Sequence, residues 1–244
     1  MRPAFYSGGY FLTQAIARPE HVSSELLPSK LLTLSPCLAH FLPDSWAYTW
    51  ASMSTDERMV ALDALGVSRE DLWRWANEMT VAFDAGDIGW PNVLQSFDIA
   101  ADLFLRLPLE REWRLLGLGL HVDDVEDFMG TTGWTGSTPP GIVKALREET
   151  PIRMGGVALG FEVLGMENAW LHSWLCNGLE SDAASRLAVR PNASGLIATL
   201  EDARRAARMF NDERLGESVH WMPWLVVDHT SQAMSMYTRE PDRD

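Results

Sequence analysis

Lysine is almost missing from this chain of 244 residues: Lys30 and Lys144 are the only two, so arginine carries nearly all the positive charge. Acidic residues outnumber basic ones by 34 to 20, giving a formal net charge of −14 and a pI near 4.8. A surface of that sign repels the phosphates of nucleic acid, and it repels an anionic membrane equally. No nucleic-acid or membrane partner is expected. Cysteine is scarce as well. Cys37 and Cys176 make one pair at most, which is no disulfide framework, and both are expected as reduced thiols. The longest uncharged apolar stretch, LLTLSPCLAHFLP, is too short and too proline-broken to span a bilayer. MRPAFYSGGYF at the start has no apolar run of signal-peptide length. These absences together predict a cytoplasmic protein.

The common catalytic signatures are missing too. Neither GxGxxG nor the phosphate-binding GxxxxGK[ST] occurs, and GxSxG, CxxC and HExxH are absent. Nothing in the chain calls for a cofactor.

What is abundant is tryptophan. Eleven of them spread along the whole chain, a scatter that favours core packing over a single aromatic groove. Hydrophobic residues make up 46% of the sequence and charged ones 22%, ordinary values for a folded chain that can bury a substantial core.

Several stretches carry helical signals. Ser54 and Glu57 form a capping box ahead of Met59, Leu62 and Leu65. Ser68 opens a second helix whose apolar positions Leu72, Trp75, Ala76, Met79 and Phe83 recur at helical spacing. Pro91 suits a first helical position, followed by Leu94, Phe97, Ala101, Phe104 and Leu105 on one face. These three read as a bundle. Further on, WRLLGLGLH fits a buried strand or a glycine-weakened helix. GGVALGFEVLG and VHWMPWLVV read as strands, GIVKALREE as a helix, residues 168–187 as another, and ATLEDARRAARMF as a last helix capped by Thr199. The expected fold is mainly α with a small sheet in the second half (α+β) and a helical-bundle-like N-terminal half. It forms one compact domain, and the only candidate subdomain boundary lies near residues 130–141, in TTGWTGSTPPG.

Two constellations carry candidate chemistry. The first is HVDDVEDFMG, residues 121–130. Asp123 and Asp127, four apart, would share a helix face and could hold a divalent cation. DDVED resembles the DDxxD box with which isoprenoid synthases hold magnesium and a substrate diphosphate. The resemblance covers five residues, and the second motif of such enzymes is missing. The acidic stretch NDERLGE, starting at Asn211, has Leu215 and Val219 where further ligands would stand. An acidic first helical turn, favoured by the helix dipole, needs no metal. Val125, Phe128 and Met129 then face the core, with Asp123, Asp124, Glu126 and Asp127 toward water. The expectation is no metal site.

The second constellation is LHSWLCNGLE, residues 171–180. On one helix, His172, Cys176 and Glu180 would form a ladder four residues apart. A thiolate paired with an imidazole is a workable nucleophile, so these three are the candidate catalytic residues if the protein is an enzyme. Semi-buried structural positions explain them equally. His220 and His229 bracket the last strand and read as surface or edge residues. Trp221 and Trp224 either form an exposed aromatic contact patch or close the core.

Two functional classes remain. The leading one is a non-catalytic acidic module that binds a basic protein partner, in the manner of an immunity-type inhibitor of a basic toxin or enzyme. It would dock through Asp123, Asp124, Glu126 and Asp127 with Trp221 and Trp224. The alternative is a small-molecule hydrolase or transferase using the Cys/His pair.

Overall fold

The computed structural model describes residues 3–18, 20, 25–35, 38, 55–56, 59, 62, 66, 68–85, 88–89, 93–108, 110, 112–131, 141–167 and 170–237. The capping box of Ser54 and Glu57, Cys37, Pro91, most of the stretch 130–141 and the charged tail from residue 238 lie outside the described residues.

Among the described residues the elements run β1 (Phe5–Thr13), β2 (Ile16–Ala17), β3 (Lys30–Leu31), α1 (Arg69–Ala85), β4 (Ile88–Gly89), β5 (Val93–Leu94), α2 (Phe97–Arg106) and β6 (Arg114–His121). They continue with α3 (Val125–Thr131), α4 (Gly141–Arg147), β7 (Val157–Glu167), β8 (Trp170–Ser173), α5 (Leu179–Leu187), α6 (Leu200–Glu213), β9 (Trp221–Asp228) and α7 (Thr230–Tyr237). Short 3-10 turns cover Val122–Asp124 and Trp174–Asn177.

Among the described residues the organising element is a seven-stranded sheet in the order β4-β5-β1-β6-β9-β7-β8, antiparallel at every pairing, with β2 and β3 as a separate pair. This overturns the expected helical architecture with a small sheet in the second half. The sheet draws β1, β4 and β5 from the first 94 residues, so among the described residues the N-terminal half is built on the sheet and not as a helical bundle. The reason lies in burial. Strands covered on both faces lose the apolar–polar alternation that marks a half-exposed strand. In β1, FYSGGYFLT, eight of nine residues are buried, and its glycines look like breaks rather than part of a strand.

Side-chain alternation sorts the core into layers. One face of the sheet presents Tyr6, Phe11, Leu116, Leu118, Leu120, Leu164, Met222, Trp224 and Val226. It is covered by Ile142, Val143 and Leu146 of α4, Phe128 of α3, and Leu34. The other face is covered in two patches. Tyr10, Leu12 and Leu115 meet Phe97, Ala101 and Phe104 of α2 and Ala233 of α7. Phe161, Val163 and Trp221 meet Ala203, Ala206, Ala207 and Phe210 of α6 with Leu179 and Ala183 of α5. Between those patches lie the glycines of LLGLGLH. A Cβ on Gly117 would sit 2.9 Å from His229 Nε2, and one on Gly119 would sit 2.8 Å from Ile152 Cδ1. WRLLGLGLH is therefore a strand whose alternate glycines admit bulky groups from above.

Two capped helices start where the sequence places them. Ser68 Oγ accepts the Asp71 N–H at 3.1 Å ahead of α1, and Thr199 Oγ1 accepts the Asp202 N–H at 3.2 Å ahead of α6. The helix expected over 168–187 is broken instead. Residues Trp170–Ser173 pair with the end of β7, with Leu164 opposite Ser173 and Gly165 opposite His172. Ser173 Oγ then caps the following turn by accepting the Leu175 N–H, and Gly178, at φ 67°, resets the chain before α5. The stretch after Pro91 is likewise split: Val93–Leu94 is a strand, and α2 starts at Phe97 behind the N-cap Ser96.

Of the tryptophans whose side chains are described, Trp75, Trp113, Trp174, Trp221 and Trp224 are buried and Trp73 is exposed. No helix among the described residues is long and apolar enough to cross a membrane.

Candidate functional site

β6 ends at His121, and the acidic motif begins there. The His121 side chain caps the turn Val122–Asp124, its Nδ1 accepting the Asp123 N–H at 3.2 Å. Arg204 of α6 approaches the same nitrogen at 3.0 Å. A guanidinium can only donate, so Nδ1 is an acceptor and the ring carries its proton on Nε2. Val122, Val125, Phe128 and Met129 pack inward, with Phe128 edge-on to Trp224 at 5.2 Å between centroids. The acids between them are thereby turned outward.

They are not equivalent. Asp123 and Asp127 keep 72% and 62% of their side-chain surface, while Asp124 keeps 17%. Asp124 Oδ2 accepts from Arg204 Nε at 3.1 Å and from Arg204 Nη2 at 2.9 Å, so it ties the turn to α6 rather than facing water as expected. Asp127 Oδ2 lies 2.9 Å from His220 Nε2. The helix face that Asp123 and Asp127 were to share is not built, since Asp123 belongs to the 3-10 turn and Asp127 to α3. Among the described residues no group of three or more His, Cys, Asp or Glu is placed to hold a metal ion.

Beside this turn runs a groove of about 340 Å³. Asp123, Asp124 and Asp127 form one wall, Arg204, Arg208 and Asn211 of α6 the other, and Ala207, Trp221, Met222 and Pro223 the apolar floor. The walls are held firmly. Asn211 donates to the Trp221 carbonyl at 2.9 Å and accepts the Trp221 N–H at 2.8 Å, clamping α6 to the start of β9. Trp221 and Trp224 are each 1% exposed, so they close the core and offer no exposed aromatic patch. Arg208 is exposed and forms no ion pair among the described residues.

The second constellation is dispersed. His172 lies in β8, Cys176 in the turn after it, and Glu180 in α5, so the ladder along one helix does not exist. His172 Nδ1 contacts the Glu217 carboxylate. Cys176 Sγ is 3.2 Å from Ser35 Oγ, and Glu180 is buried with the Ser181 hydroxyl 3.5 Å from its Oε1. Each of the three meets a different neighbour.

A buried histidine and a buried glutamate stand outside both motifs. His229, expected at the surface or an edge, is fully buried. Its ring stands edge-on to Tyr10 and Phe97, both at 5.7 Å, and Nδ1 lies 2.6 Å from Gln232 Oε1. Gln232 spends its amide N–H on the Met154 carbonyl, so the His229 proton sits on Nδ1 and Nε2 is left buried without a partner. Burial holds this imidazole below its ordinary value; the nearby Arg153 adds to the shift, and Gln232 and Asp228 oppose it.

Glu162, in the middle of β7, is also fully buried. Its carboxylate accepts the Thr33 hydroxyl at 2.7 Å and the Leu34 N–H at 3.0 Å, and the Ser173 hydroxyl bonds it from β8. The signal was present in the sequence as the one charged residue inside GFEVLG. No protein-family model matches the chain, and no curated protein or solved structure matches it significantly.

Proposed function

We propose that the protein is a non-catalytic, cytoplasmic binding module whose acidic turn docks a basic protein, an immunity-type inhibitor being the concrete version. The observation that carries this reading is the groove. Two well-exposed carboxylates, Asp123 and Asp127, flank an apolar floor of Ala207, Met222 and Pro223. That arrangement suits a lysine or arginine side chain whose methylene stem covers apolar surface and whose charged head stays at the rim on the Asp123 and Asp127 side, away from Arg208 on the opposite wall. Glu126, exposed beside them, adds to the attraction, and the net charge of −14 steers a basic partner toward the molecule as a whole. Asp124 belongs to the scaffold of the site, because Arg204 neutralises it. Trp221 supports the floor from beneath.

The test uses the full chain as bait, alongside the variant Asp123→Asn/Glu126→Gln/Asp127→Asn. A basic protein should be retained in equimolar amount by the wild type, released by raised salt, and lost from the variant. Retention that is equal for both baits and indifferent to salt would remove the reading.

A further inference from the structure

Glu162 is a buried ionisable group whose chemistry the acidic turn does not use. Strands β7 and β8 carry it and Ser173 on adjacent positions, since Leu164, two residues along from Glu162, is the register partner of Ser173. Across the carboxylate runs the segment 31–35, whose residues Leu31 to Ser35 are all buried. Apart from the Glu162 bonds, this strap is fixed to the body by the Leu32 N–H on the Ser194 carbonyl at 3.0 Å and by the Ser35 hydroxyl on the Leu171 carbonyl at 3.1 Å.

The hydrogen-bond chain has a direction. Thr33 Oγ1 accepts the Ser35 N–H at 3.2 Å and Ser173 Oγ accepts the Leu175 N–H at 3.2 Å, so both hydroxyls are polarised toward the carboxylate. These donors favour the ionised carboxylate. Against them stands the complete removal of water, with no cation to compensate. The groups facing Glu162 are the Thr33 hydroxyl and Leu34 amide from the strap and the Ser173 hydroxyl from β8. Trp224 is its register partner on β9. Of the charged or titratable residues on the neighbouring elements, His172 meets Glu217, Lys30 meets Glu112 and Asp228 meets Arg114, while Cys176 Sγ lies 3.2 Å from Ser35 Oγ of the strap itself.

We propose that Glu162 is a pH-sensitive latch, holding the 31–35 strap across the sheet while its carboxyl is neutral and loosening it as the carboxyl ionises. Desolvation outweighs the three donors and raises the carboxyl from 4.5 to about 7, within the range where a cell can titrate it. When the strap lifts, water reaches the carboxyl and its ordinary value returns. Opening is therefore coupled to loss of the proton. The hydroxyls of Thr33 and Ser173 serve both states, because either can accept from a neutral carboxyl as well as donate to an ionised one.

The test is amide hydrogen exchange of Leu34 in the full chain, corrected for intrinsic base catalysis and referred to interior amides of α6. Between about pH 5 and about pH 8 the relative protection of Leu34 should fall about tenfold or more in the wild type, and should stay flat in Glu162→Gln. Unchanged wild-type protection, or an equal fall in the variant, overturns the latch. If the variant does not fold, carbon-13 titration of the glutamate carboxyls in the wild type decides. One glutamate titrating near neutrality, with Leu34 exchange rising over the same pH range, upholds the latch; all of them titrating in the ordinary range, or Leu34 exchange that does not follow the titration, overturns it.

Discussion

Two buried residues set opposite slopes on the pH dependence of stability. Glu162 has a raised folded value, so its contribution is fully present below about 4.5, its unfolded value, and is lost as pH rises to about 7. His229 is depressed when folded. Its contribution is present above 6.5 and is lost as pH falls through the lowered folded value. Urea unfolding as a function of pH should separate them: Glu162→Gln flattens the alkaline limb and His229→Gln the acid one. Glu162→Ala should be far worse than Glu162→Gln. It strands the Thr33 and Ser173 hydroxyls and the Leu34 amide in a dry site, at about 1–3 kcal/mol for each unsatisfied group. Near-equal stabilities for the two variants would contradict the hydrogen-bond account. Gly117→Ala tests His229 from the other side. Its methyl would press on Nε2, costing about 1–3 kcal/mol in thermal or urea unfolding, whereas a neutral result would mean that the ring can move aside.

Elements differ in how plainly the sequence announces them. α6 is legible because ATLEDARRAARMF combines a cap with a clean apolar face, and Thr199→Ala should cost about 1 kcal/mol of stability through loss of that cap. The acidic turn is legible too, as a short acid-led helix with Val125, Phe128 and Met129 inward. What the sequence hides there is the partner of Asp124, since Arg204 lies 80 residues away in the chain. Asp124→Asn should loosen the turn from α6, costing about 1–2 kcal/mol and measurably increasing exchange at the Asp123 amide; unchanged stability and exchange would show the pair to be dispensable. β8 was illegible for a different reason. LHSWLC has apolar residues at helical spacing, but the exposed ladder of β7 offered its backbone a better set of hydrogen bonds. That tertiary choice dissolved the His172, Cys176 and Glu180 ladder.

At the scale of the whole molecule, the sheet was hidden because it is sandwiched. With helices on both faces, β1 and β6 present mixtures of apolar residues and glycine in place of alternation, and the long-range pairing of β1 with β6 leaves no local trace. Charge, in contrast, is fully legible from composition. What the fold adds is its distribution: α6 displays Arg204 and Arg208 across the groove from the acidic turn, so the groove has walls of both signs within an acidic molecule. Asp124 neutralises Arg204 while Arg208 stays unpaired among the described residues, so Asp123, Glu126 and Asp127 are the acids of the motif left to draw a basic partner, from the side of the turn. The most direct measurement is the association rate of a captured basic partner with the wild-type chain and with Asp123→Asn/Glu126→Gln/Asp127→Asn, across a series of salt concentrations. Docking through the turn predicts an association rate about tenfold lower for the variant, with a shallower salt dependence and a nearly unchanged dissociation rate. Equal association rates and equal salt slopes for the two proteins would contradict it.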